Sequence, residues 1–122
     1  TSPELVGLVF DTGHFVYGSG GRPAAEGLQM YGDRVWYMHF KDCHPEVAAR
    51  ARKEGWDYFQ AVRHGVFCEL GQGGVDFTSV VKWLEGRGYG HYVLVEQDVL
   101  PGMGAPKESA RRNREYLRTL GL

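Results

Sequence analysis

The sequence predicts an α/β chain: a parallel sheet of about four strand–helix units, equivalent to half of an eight-stranded barrel. Three observations carry that expectation. Short apolar runs alternate along the chain with segments of helical spacing. No Asn-Gly or Asp-Gly hairpin signal separates the runs, so consecutive strands need right-handed crossovers. Several runs stop at an acid or a histidine, where open α/β sheets and barrels carry their chemistry. A small open α/β sheet with helices on both faces is the alternative.

The first run, residues 5–10, is nearly continuous in apolar character and ends at Asp11, with His14 three residues on. Such a run suits a strand buried on both faces. Residues 18–23 are a loop by composition, and 24–31 have helical spacing through Ala24, Ala25 and Leu28. The second strand, 35–40, is rich in β-branched and aromatic residues and leads into Lys41 and Asp42. Two short helices, 46–53 and 57–63, form an excursion before the third strand, 66–70. That strand carries Glu69 and is followed by Gly71, Gln72, Gly73 and Gly74. Asp76 is placed to cap a helix over 77–87, with Val80, Val81 and Leu84 inward. The last strand, 92–95, ends in Glu96, Gln97 and Asp98, and a terminal amphipathic helix spans 107–120.

The chain has 122 residues and 43% hydrophobic content, enough for one domain with a core. A net charge of −1 argues against nucleic-acid or anionic-membrane partners. Arg111, Arg112, Arg114 and Arg118 cluster in the tail as a solvated helix face. Cys43 and Cys68 make neither a disulfide framework nor a zinc ribbon, which fits a reducing, cytoplasmic setting. No apolar stretch approaches the roughly 18 residues of a membrane span. The chain opens at Thr1 without Met, and an isolated half-barrel exposes two sheet edges and an apolar face. A longer polypeptide or a second copy is therefore expected.

Three strand ends carry groups that make little sense as core: Asp11 with His14, His39 with Lys41 and Asp42, and Glu96. In a barrel they converge on one mouth. Asp11, His39 and Glu96 are the expected metal ligands, a mixed oxygen and nitrogen set suited to Mn²⁺, Co²⁺, Mg²⁺ or Zn²⁺. Glu69 stands between a substrate contact and a salt bridge. The glycines at 71, 73 and 74 could cradle a phosphate through backbone amides, although the lysine of a phosphate-binding loop is absent. His44, His64 and His91 read as surface or loop residues.

These motifs resemble the sugar phosphate isomerase/epimerase superfamily, the xylose-isomerase-like TIM barrels. The resemblance rests on Leu8-Val9-Phe10-Asp11-Thr12-Gly13-His14, Met38-His39-Phe40-Lys41-Asp42, Gly71-Gln72-Gly73-Gly74-Val75-Asp76-Phe77 and Val95-Glu96-Gln97-Asp98. Within that superfamily, the excursion over 46–65 followed by Val66-Phe67 is similar to the C-terminal half of the inosose dehydratases. The resemblance implies a divalent metal, Mn²⁺ or Co²⁺ foremost, held by Asp11, His39 and Glu96, with a fourth ligand in a first half-barrel. It implies catalytic roles for His14, as a proton shuttle, and for Lys41, facing a polyol or keto-sugar substrate. The implied reaction is dehydration of 2-keto-myo-inositol through an enediolate. Isomerisation or epimerisation of a sugar is the alternative, since it uses the same ligands. A metal-free carbohydrate-binding protein or a metal-dependent DNA-repair nuclease ranks well behind, the latter because the charge is balanced.

Overall fold

Val9, Phe10 and Asp11 alternate faces as a strand must, and so do Tyr37, Met38 and His39 beside them, past a register shift between Leu8 and Val9. The computed structural model describes residues 1–122. Its central sheet has three parallel strands, β1 (Leu8–Asp11), β2 (Val35–Phe40) and β5 (Val93–Val95), in the order β1-β2-β5. The register sets Phe10 beside Met38 and Asp11 beside His39; Met38 lies beside Val93 and His39 beside Leu94. One face thus presents Phe10, Met38, Phe40, Val93 and Val95 to the helices. The other presents Val9, Tyr37, Asp11, His39 and Leu94.

The helix-side face is the core. Met38 and Phe40 are fully buried and join one cluster with Leu28 of α2 (Ala24–Tyr31), Phe77, Val80, Val81 and Leu84 of α5 (Phe77–Gly86), and Leu117 of α6 (Pro106–Thr119). Burying each large side chain contributes about 1.5–3 kcal/mol. The opposite face is open: Val9, Tyr37 and Leu94 are 60%, 43% and 49% exposed. The chain is therefore α/β, with the parallel sheet and outer helices of a partial barrel.

Three elements differ from the sequence expectation. The segment after Asp11, to which the sequence reading assigns no element, is a helix, α1 (Thr12–Gly18), because the Asp11 side chain accepts the His14 amide and caps it. The first strand is also shorter than expected, since residues 2–6 form a turn closed by the Val6 amide on the Ser2 carbonyl at 3.0 Å.

The third expected strand does not enter the parallel sheet. Only β4 (Phe67–Cys68) is extended, and it pairs antiparallel with β3 (Asp42–Cys43). The cause is Asp42, a fully buried carboxylate. Its Oδ1 accepts from the amides of Cys43 and Val75 at 2.8 and 3.0 Å, and its Oδ2 from Gly71 and Gly73 at 2.9 and 3.0 Å. Leu70 donates to Asn113 instead of to a neighbouring strand. With their hydrogen bonds spent this way, residues 66–75 wrap around Asp42 rather than joining β2 and β5.

The same geometry decides against the phosphate cradle and for an ordinary glycine-rich turn. The amides of Gly71 and Gly73 belong to Asp42, and those of Gln72 and Gly74 to the carbonyls of Glu69 and Cys43. A Cβ on Gly73 would meet the Asp42 carboxylate and the Cys43 carbonyl, so the glycine is there for close packing.

Between β3 and β4 lies the excursion, α3 (Pro45–Glu54) and α4 (Tyr58–Arg63). Gly55, at φ +67°, ends α3 in the left-handed region. Asp57 and Gln60 then start α4 with a reciprocal capping box. Cys43 and Cys68 are free and buried, which pushes their thiols up to about 11 and about 12.

Candidate active site at the strand ends

Asp11, His39 and Glu96 leave the carboxyl ends of β1, β2 and β5 on the open face, and the structure brings them together. His39 Nδ1 lies 3.1 Å from Glu96 Oε2 and 3.8 Å from Asp11 Oδ2. His14, one turn into α1, enters the same group. Asp11, His14 and Glu96 each offer a ligand atom within 4.8 Å of the others. Two carboxylates and two imidazoles thus share one mouth, bordered by a hollow of about 310 Å³ beside Val9, Asp11 and His14.

Each residue of the Asp11-Thr12-Gly13-His14 run has a physical task. Asp11 caps α1 with one oxygen and turns the other inward. Thr12, fully buried, donates its hydroxyl to the Lys41 carbonyl at 2.7 Å and accepts the Lys41 amide at 3.1 Å. Gly13 is required because a Cβ there would meet the Lys41 stem and carbonyl at 2.9 Å. The run is therefore latched onto Lys41 at the end of β2.

Lys41 is only 1% exposed, yet its ammonium is not alone. Nζ lies 2.5 Å from Glu96 Oε1 and 3.1 Å from Asp98 Oδ2, and it sits 4.5 Å from the centre of the Phe67 ring. Burial works to lower its pKa, but the two carboxylates outweigh that and hold it above the usual lysine value. Lys41 in turn holds Glu96 below the usual carboxylate range, against its partial burial. Asp11 goes the other way: burial raises its carboxyl, opposed by the His14 amide.

Asp11 Oδ2 is buried and accepts no hydrogen bond. An orphaned carboxylate oxygen beside a second carboxylate and two imidazoles is what a divalent cation satisfies. The donor set fits such an ion.

Glu69 does not join this group. Both of its oxygens accept from Arg112, at 2.6 and 2.7 Å, and Oε1 also accepts from Ser109 at 2.7 Å. It is 4% exposed, so of substrate contact and salt bridge, the salt bridge is what the structure holds. It ties β4 to α6. Hydrogen bonds from Arg112 hold the Glu69 carboxyl below its ordinary value of 4.5, with burial opposing. A depressed carboxylate contributes stability above its unfolded value, and that contribution is lost as pH falls through the folded one. Urea midpoints measured from about pH 6 to 3 should therefore fall more steeply below pH 4.5 in the wild type than in Glu69→Gln. Parallel curves would assign the acid sensitivity to other groups.

Two residues at this mouth carry no role in the sequence reading. Asp98 reaches Lys41, and Tyr58 of α4 stacks on His14 with ring centres 5.9 Å apart. A signal for Asp98 exists, a second acid two residues after Glu96. Tyr58 has none, since its place depends on how the excursion folds back.

The fold and strand-end cluster define a partial barrel with its polar site at the carboxyl ends of the strands. The chain belongs to the xylose isomerase-like TIM barrel family, whose model matches residues 1–120. Among its relatives are inosose dehydratases. That of Clostridium botulinum (strain Eklund 17B / Type B) is 36% identical over 118 residues, covering 97% of this chain and 39% of the relative. That of Geobacillus thermodenitrificans (strain NG80-2) is 37% identical over 123 residues, covering 100% and 41%. That of Klebsiella pneumoniae (strain 342) is 37% identical over 121 residues, covering 98% and 40%. The chain thus spans about two fifths of the length of these relatives. No helix is long and apolar enough to cross a membrane.

Proposed function

We propose that residues 1–122 form the C-terminal half of a barrel enzyme, a cytoplasmic, metal-dependent dehydratase acting on 2-keto-myo-inositol. The observation that carries this reading is the cluster of Asp11, His14, His39 and Glu96 around an unsatisfied buried oxygen. The printed names of the relatives support the substrate, and the open sheet face supports a first half-barrel as the missing partner.

In this reading Asp11, His39 and Glu96 hold a divalent ion, Mn²⁺ or Co²⁺ in the first instance. When bound, the ion supplies Lewis-acid stabilisation of negative charge developing on a substrate oxygen. The chain's own groups do the rest. Dehydration breaks a C–H bond next to the ketone and expels a hydroxyl one carbon further on. His14 carries the proton, as acid or base. Lys41, kept charged by Glu96 and Asp98, donates a hydrogen bond to the departing hydroxyl. Asp98, 3.1 Å from the ammonium, keeps it in place beside Glu96. Sugar isomerisation would use the same groups but return the proton to carbon.

Metal content by mass spectrometry of the purified chain, and of the protein at the full length of its relatives, tests this reading. Stoichiometric metal is expected in wild type, with loss in Asp11→Ala and His39→Ala. His14→Ala should keep the metal and lose dehydration. A full-length wild type with no metal, or a His14→Ala enzyme of unchanged turnover, would sink the corresponding role.

A further inference from the structure

The His14 imidazole is held in an unusual way. Histidines at catalytic and metal sites are ordinarily oriented by a hydrogen bond at the second ring nitrogen. Here no protein group hydrogen-bonds either ring nitrogen; the only hydrogen bond of His14 to the site comes from its backbone, to Asp11. Two aromatic rings take the place of the orienting bond. Tyr58 stacks over the imidazole at 5.9 Å and 23°, and Phe67 meets it edge-on at 4.7 Å and 62°. Both are anchored. Phe67 is 2% exposed in β4, and Tyr58 follows directly on the Asp57 cap of α4. Trp56 and His64, stacked at 4.0 Å, close the two ends of that helix against each other.

We propose that Tyr58 is a positioning residue for His14. With Phe67 it forms an aromatic clamp that fixes the imidazole plane while leaving both ring nitrogens free. This rests on the reading of His14 as the proton carrier, and it gives that reading a physical advantage. An imidazole whose nitrogens are not spent on an orienting partner can face Asp11 and Glu96 with one and substrate with the other. The excursion between β3 and β4 thereby belongs to the site, and Tyr58 is where it acts. Stacking needs the ring and not the hydroxyl, so phenylalanine should substitute and an aliphatic side chain should not.

The test compares Tyr58→Phe, Tyr58→Leu and Tyr58→Met with wild type, in the protein at the full length of its relatives, by proton–carbon correlation NMR of histidine rings and by steady-state turnover of 2-keto-myo-inositol. The His14 ring protons should lose their stacking displacement in the Leu and Met variants and keep it in Phe. For the same pair kcat should fall about 10- to 100-fold, more than KM changes, because the carrier is misplaced rather than the substrate unbound. Unmoved His64 resonances, from its stack on Trp56, report that α4 is intact. Leu and Met variants with wild-type His14 resonances overturn the clamp, as does a Phe variant as impaired as Leu. If instead His14→Ala turns over normally, the proton role fails while the ring shifts still decide the clamp.

Discussion

Asp42→Asn should cost about 3–4 kcal/mol of stability, nearly as much as Asp42→Ala, although it changes one atom. The carboxylate accepts four backbone amides, two on each oxygen, in a fully buried position. An amide side chain has one acceptor and one donor. Turned either way, it sets its NH₂ against two N–H groups that have no water to turn to. Hydrogen bonds to a charged group are worth about 1.5–3 kcal/mol each, and an abandoned buried donor costs about 1–3. Some of this is relieved by movement of the glycine loop, which keeps the total below the plain sum. Denaturant unfolding checks it through the midpoint at constant slope. An Asn variant within about 1 kcal/mol of wild type would mean that the loop rehydrates at little cost.

Lys41→Met should do the opposite: little to stability and much to activity. Methionine keeps most of the stem that packs against Gly13 and Phe67. The carboxylates left behind, Glu96 and Asp98, are 40% and 34% exposed, so water replaces the lost ammonium. Solvent screening limits the penalty to about 1 kcal/mol. Turnover should fall about 10²–10⁴-fold, the usual reach of a positioned proton donor, with metal content unchanged. Equal losses of metal and turnover would instead make Lys41 a brace for Glu96. That contrast would separate neighbours in sequence by task, Asp42 holding the scaffold and Lys41, on the proposed reading, facing the chemistry.

The strand ends were legible in the sequence because an acid or histidine that breaks an apolar run has few reasons to be there. Asp11, His39 and Glu96 stand out by that rule, and the register that unites Asp11 with His39 follows from parallel pairing. The helices over 24–31 and 77–87 were equally plain, since Leu28, Val80, Val81 and Leu84 repeat at helical spacing. Helix α1 was hidden. Gly13, Val16 and Gly18 are poor helix formers, and the start signal is a single Asp-x-x-His cap that also reads as a strand exit. The third strand misled for a different reason. Val66, Phe67 and Leu70 are buried as their composition demands, but Asp42 draws the surrounding amides to itself. No local pattern announces that a residue 25 positions upstream of Phe67 will do so. Glu69 and Tyr58 belong to the same category, since their partners come from α6 and α1.

The β3–β4 ladder has a consequence for how this protein can change. It pairs Cys43 with Phe67, so the chain leaves and returns at adjacent points, and everything between is a closed loop on a fixed base. The entropy of closing such a loop grows slowly with its length, so residues added or removed on its exposed side, away from Ala48, Ala51 and Ala61 in the core, cost the strands below little. The stretch is in effect an exchangeable cassette. Exchange would have to keep the small core-facing side chains of Ala48, Ala51 and Ala61 and, on the clamp reading, return one ring to the place of Tyr58.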